Sequence, residues 1–125
     1  MTPGEVGRDE KEDHHMNEKS SPMLERLQEF HARNPNDSFV LYGLAMELSK
    51  LDRSEEALDH FRKLVATDPG YVAAYQQAGM LLARTGRPEE AQSLLRAGIA
   101  AAARQGNSHA ASEMQAALDE LERGS

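Results

Sequence analysis

The chain has 125 residues, 39% of them apolar and 28% charged, and 14 Lys and Arg against 21 Asp and Glu leave it at −7 with a pI near 5.2. That is material for one domain, with no apolar run of the roughly 18–20 residues that span a bilayer and no basic surplus to displace counterions from a nucleic acid. The absence of cysteine excludes a disulfide framework and a thiolate zinc site.

Residues 1–21 are predicted to be a disordered acidic tail. They hold Pro3, Gly4 and Gly7, the charge run Arg8-Asp9-Glu10-Lys11-Glu12-Asp13, and almost nothing apolar except Val6 and Met16. Such a segment cannot bury enough surface to offset its chain entropy. Nor does it carry the apolar stretch of a secretory leader, so a cytoplasmic protein is expected; Met16 is a second position at which the chain could begin.

From Ser21 the apolar spacing becomes that of amphipathic helices. Ser21 is placed to cap the first, with Pro22 at the first helical position, where its missing N–H costs nothing. Met23, Leu24, Leu27, Phe30 and His31 make its stripe, and Asn34-Pro35 ends it. Asp37 or Ser38 caps a second helix with the stripe Leu41, Leu44, Ala45 and Leu48. The turn Asp52-Arg53-Ser54 leads to a third helix carrying Ala57, Leu58, Phe61, Leu64 and Val65, which ends at Asp68-Pro69-Gly70. A fourth carries Ala74, Tyr75, Ala78, Leu81 and Leu82 and breaks at Gly86. Pro88 opens a fifth, with Ala91, Leu94, Leu95, Gly98, Ile99 and Ala102, which stops near Gly106. Asn107 or Ser108 opens a sixth, whose stripe is Ala110, Ala111, Met114, Ala117, Leu118 and Leu121. With no alternating run rich in β-branched residues, the fold class is all-α, about six helices joined by short turns.

Half of this pattern repeats. Pro35 and Pro69 stand 34 residues apart, and so do Ala57 and Ala91, Ala45 and Gly79, Leu48 and Leu82, Phe61 and Leu95, and Val65 and Ile99. Small residues let paired backbones approach, large ones fill the gaps beside them, and proline ends the unit.

On these residues the chain resembles the tetratricopeptide repeat family. Leu41, Leu44-Ala45, Leu48, Ala57, Phe61 and Pro69 match one helix-turn-helix unit, and Tyr75, Ala78-Gly79, Leu82, Gly86, Ala91, Leu95 and Gly98 a second. The departures are Leu64 at a usually small position and Ala103 in place of the closing proline, which lets the fifth helix run on. The resemblance implies a right-handed α-α superhelix, with repeats over about 36–69 and 70–105 and a capping helix over about 107–123 in a domain spanning 22–125. The first helix is read as the second half of a degenerate preceding unit. The outer face of the last is expected to carry Glu113, Asp119, Glu120 and Glu122. Helices at both ends suggest a self-contained small protein.

The resemblance also implies a function, non-catalytic binding of a peptide or helix of a partner protein in a concave groove lined by the first helix of each unit. Those positions hold Phe39, Tyr42, Met46 and Lys50 in one unit and Gln76, Gln77, Met80 and Arg84 in the next. The aromatic and thioether side chains would make an adaptable floor, and Lys50 and Arg84 a basic rim. On that reading Tyr42→Glu with Met80→Glu abolishes binding without unfolding the chain. The competing reading is that the first helix folds over these residues and makes them core. The family's clamp for C-terminal carboxylates needs Lys, Asn and Arg at positions that here hold Tyr42, Gly43, Met46, Ala73, Gln76, Gln77 and Met80, so an apolar or amphipathic segment is the expected ligand. A self-associating scaffold, a homodimer or larger assembly, is the alternative.

No enzyme, cofactor or metal is expected. Glu55-Glu56 and Glu89-Glu90 fall in first helical turns, where negative charge suits the helix dipole. His14-His15 sit in the tail, His60 is expected on an exposed outer face, and His31 and His109 lack a catalytic partner. No phosphate loop or nucleophile-base set is present.

Overall fold

A computed structural model describes residues 19–124, so the expected disorder of residues 1–21 lies outside the described range up to residue 18. Six helices follow in order: α1 (Pro22–Arg33), α2 (Ser38–Lys50), α3 (Ser54–Thr67), α4 (Val72–Arg84), α5 (Pro88–Arg104) and α6 (Ser108–Gly124). Side-chain caps open three of them, because the first helical N–H groups have no partner within the helix. Ser21 Oγ accepts from Leu24 N at 3.0 Å, and Asp37 Oδ1 and Asn107 Oδ1 accept from Val40 N and Ala110 N, each at 3.1 Å.

The turns repeat as the sequence does. After α2, Arg53 N donates to Leu48 O at 2.9 Å and Asp52 N to Ser49 O at 3.1 Å, with Asp52 at φ 61°. After α4 the same pair of bonds is made by Arg87 and Gly86, and after α5 by Asn107 and Gly106. This left-handed cap favours glycine, which Gly86 and Gly106 supply; Asp52 is the kind of short polar residue that tolerates it. The proline-bearing ends of α1 and α3 lack it. Ala103 stands where their proline would be, and α5 accordingly extends to 17 residues.

The helices form two layers, α2, α4 and α6 side by side in one, and α1, α3 and α5 in the other. Leu24, Leu41, Leu44, Leu58, Phe61, Leu64, Leu81, Leu95 and Met114 are fully buried between them, each such side chain contributing about 1.5–3 kcal/mol. Ala45, Ala57, Ala78 and Ala91 are fully buried at the crossings. No polar or charged residue is buried among those described, so apolar packing carries the fold. Each ion pair among the described residues has at least one exposed partner and contributes about 0–1 kcal/mol.

Two expectations are corrected. His60 is half-buried rather than outward. Its ring meets His31 of α1 edge-on at 5.6 Å, and its Nδ1 lies 2.9 Å from the Glu56 carbonyl. The acidic residues of α6 do not form one outer face, because α6 is flanked by both α4 and α5. Gln76 of α4 donates to Glu113 at 3.1 Å, Arg96 of α5 pairs with Glu122 at 2.9 Å, and Glu120 faces α4.

The His31–His60 contact makes α1 docking sensitive to acid. Burial first, then the charges of His60 and Lys63, holds the His31 imidazole below its ordinary 6.5, and its buried Nε2 has no hydrogen-bond partner. The folded state therefore binds fewer protons than the unfolded one, so this stability is fully present above 6.5 and is lost as pH falls toward the lowered folded value. Amide exchange in α1, corrected for its intrinsic pH dependence, is expected to accelerate between about pH 7 and about pH 5, and His31→Leu to flatten that response. Equal protection at both pH values would exclude this role for His31.

Candidate protein-binding grooves

Two apolar grooves mark the surface of the described residues. One runs between α4 and α6 and encloses about 410 Å³. Its floor is Gly79 and Leu95, the missing Cβ of Gly79 leaving room for the Leu95 side chain, which a built Cβ would approach to 2.8 Å. Met80 and Ala83 line the α4 side, Ala117 and Leu121 the α6 side, with Arg84 and Glu120 at the rim. Met80 is 44% exposed and free to repack around a ligand.

The other groove, about 500 Å³, lies between α1 and α2 and is lined by Met23, Leu27, Phe39, Gly43, Met46, Glu47 and Lys50. Here α1 partly covers the expected site. Leu27 packs where a Cβ on Gly43 would come within 3.1 Å of its Cδ2, yet Phe39 remains 76% exposed.

The structure thus divides the sequence-expected site. Met80 and Arg84 line the first groove, and Phe39, Met46 and Lys50 the second. Tyr42 lines neither groove and packs instead against α3 and the connection into α4. Its ring centroid is 6.3 Å from Phe61 and 5.2 Å from Tyr71, and burial, with Tyr71 beside it, pushes its phenol above the usual 10.0. Gln76 is engaged with Glu113, and the half-buried Gln77 lines neither groove. Of the expected basic rim, Lys50 pairs with Glu47 at 3.6 Å, while Arg84 donates to Ser49 Oγ at 3.2 Å and keeps its charge at the groove edge, where Glu120 also lines the rim. Sequence reasoning missed Ala117, Glu120 and Leu121 as lining residues. Ala117 and Leu121 are read from the sequence as part of the last helix's apolar stripe; the available signal was that, with Glu120, they stand at i, i+3 and i+4 along the edge of that stripe.

The paired carboxylates are structural. Arg53, at the start of α3, donates from Nε and Nη2 to Glu56 at 2.7 and 2.8 Å, and Arg87 stands in the same relation to Glu90 while also reaching Glu55 at 2.7 Å. These bonds hold the Glu56 and Glu90 carboxyls below the usual carboxylate range, the opposite of what a general acid needs. Among the described residues no three His, Cys, Asp or Glu converge as a metal site, and no helix is long and apolar enough to cross a membrane. His14 and His15 lie outside the described residues.

A family model described as a tetratricopeptide repeat matches residues 48–118. A TPR repeat-containing protein of Pseudomonas aeruginosa is 28% identical over 101 residues, spanning 81% of this chain and 96% of that protein. Among solved structures, a tetratricopeptide repeat domain protein from Salinibacter ruber is 38% identical with a TM-score of 0.67, covering 71% of this chain and 90% of its own. A Bordetella parapertussis protein is 26% identical with a TM-score of 0.73, over 84% and 91%. The TPR2B domain of yeast Sti1, solved in complex with pHsp70, reaches a TM-score of 0.76 over 82% of each chain at 22% identity, a likeness of fold alone.

Proposed function

The chain belongs to the tetratricopeptide repeat family, whose members generally mediate protein–protein interactions, and from that premise we propose that it is a non-catalytic adaptor holding a segment of another protein in the α4/α6 groove. The observation that carries this reading is the groove's construction. An apolar floor of Gly79 and Leu95 lies between exposed Met80 and aliphatic Ala117 and Leu121, with one cation and one anion at its rim. That surface suits an amphipathic segment whose apolar anchors enter the floor and whose flanking charges of both signs meet Arg84 and Glu120.

A carboxylate-terminated ligand fits less well, since no Lys, Asn or Arg stands at Tyr42, Gly43, Met46, Ala73, Gln76, Gln77 or Met80. The Sti1 domain solved with pHsp70 supports a protein ligand for this fold, without indicating which. Two buried leucine-sized anchors supply roughly 3–6 kcal/mol before the cost of association, so a single peptide is expected to bind no tighter than about micromolar.

Selection of random peptides against the full chain should enrich sequences with Leu, Phe or Met three or four residues apart. The amide shifts they induce in ¹⁵N spectra should centre on Met80, Ala83, Ala117 and Leu121. Binding that depends on a free peptide carboxylate, or shifts centred elsewhere, would reject the groove.

A further inference from the structure

The repeat register exposes a second face that the groove does not use. Lys50 and Arg84 are equivalent at the 34-residue spacing. Arg84 reaches back to Ser49 of the preceding first helix, whereas among the described residues Lys50 meets only Glu47 of its own helix. Among the described residues no first helix precedes α2. Phe39, equivalent to the half-buried Ala73, is 76% exposed there. On α1 the positions Met23, Leu27 and Phe30 share one face, and Met23 is 53% and Phe30 45% exposed. Of the described residues' exposed large apolar side chains, all but Met80 therefore lie at this one end.

We propose that this face is covered by a second copy of the chain, with α1 of each copy antiparallel to the other across a two-fold axis. The chain's own leader is a poor occupant. At 34 residues before Leu41, Leu44, Ala45 and Leu48 stand Gly7, Glu10, Lys11 and His14, which cannot supply the apolar stripe of a first helix. A two-fold interface must be self-complementary, and α1 is. Arg26 and Glu29 are exposed and have no ion pair among the described residues. An axis between Leu27 and Gln28 sets Arg26 of each copy opposite Glu29 of the other and brings the Met23, Leu27, Phe30 stripes together beside Phe39.

Charge favours the same arrangement. Residues 19–53 hold five Lys and Arg and five Asp and Glu, so the −7 of the chain resides outside them. Joining these neutral ends keeps the acidic C-terminal helices apart. Antiparallel α1 helices of 12 residues also set the two α1 N-termini about 18 Å apart, beyond the Debye length of about 8 Å.

Sedimentation equilibrium of the full chain across a wide concentration range is expected to give a mass twice 13.8 kDa. Phe39→Glu should raise the dimer dissociation constant by roughly thirtyfold or more with the helical circular dichroism unchanged, while Met80→Glu should leave the mass alone. Arg26→Glu should weaken the dimer, and adding Glu29→Arg should restore it, a rescue that only a self-complementary pairing produces. A monomer at every concentration, a dimer indifferent to Phe39→Glu, or a double charge reversal without rescue overturns the proposal. Should the chain be monomeric, perturbation of the residue 1–18 resonances by Phe39→Glu would assign the face to the leader, and their indifference would leave it to a different protein.

Discussion

Gly98→Ala is expected to lower the melting temperature by roughly 5–15 °C. The sign is the test, because alanine normally gains about 1 kcal/mol over glycine inside a helix. Here a Cβ on Gly98 would stand 2.5 Å from Tyr75 Cβ and 2.6 Å from Met114 Sδ. Tyr75 is held by its hydroxyl donating to Pro69 O at 2.7 Å, and Met114 is fully buried, so neither can withdraw without shifting α4 or α6 against α5. Gly43→Ala is the control. Its Cβ would meet the far end of the flexible, half-buried Leu27 at 3.1 Å, and the helix-propensity gain should largely survive. Thermal unfolding of both variants distinguishes the cases, and a stabilised Gly98→Ala would show that the α4/α5/α6 crossing yields to an added methyl.

The second large effect separates two residues that the sequence places in one site. Tyr42→Glu is expected to destabilise the fold by about 2–4 kcal/mol, through lost aromatic packing and a carboxylate set against Phe61 and Tyr71. Met80→Glu should leave the melting temperature within a few degrees, since the side chain is 44% exposed, while weakening groove-binding peptides by roughly thirtyfold. Denaturant titration beside peptide titration reads both. If Tyr42→Glu unfolded no more readily than the parent, Tyr42 would return to the binding surface, and the combined Tyr42→Glu, Met80→Glu variant would become a clean probe of binding. In the structure it is not one, because its loss of binding would include loss of the fold.

These results rest on different kinds of information. The caps at Ser21 and Asp37, the left-handed turns at Asp52, Gly86 and Gly106, and the extension of α5 past Ala103 all depend on residues within a few positions of one another. Local hydrogen bonding and backbone sterics decide them, and both are written along the chain. The repeat was equally legible, because equivalent residues such as Ala57 and Ala91 or Leu48 and Leu82 meet equivalent neighbours and the sequence shows the period directly.

The second stripe on each helix was not decided that way. Whether Phe39, Tyr42, Met80 or Glu120 meets solvent, a ligand or another helix depends on where an element distant in sequence comes to lie. The stripe reads the same in every case. His60 was hidden for this reason, its exposure set by α1 and His31, and so was the role of Glu113 and Glu120, set by α4. The sequence by itself determined six helices, their caps and turns, the 34-residue unit and the family. Only the tertiary structure divided the expected site between the α4/α6 groove and the α1/α2 face and set Tyr42 against Phe61 and Tyr71, outside both, because burial is a property of neighbours brought together by packing and not of the residues one at a time.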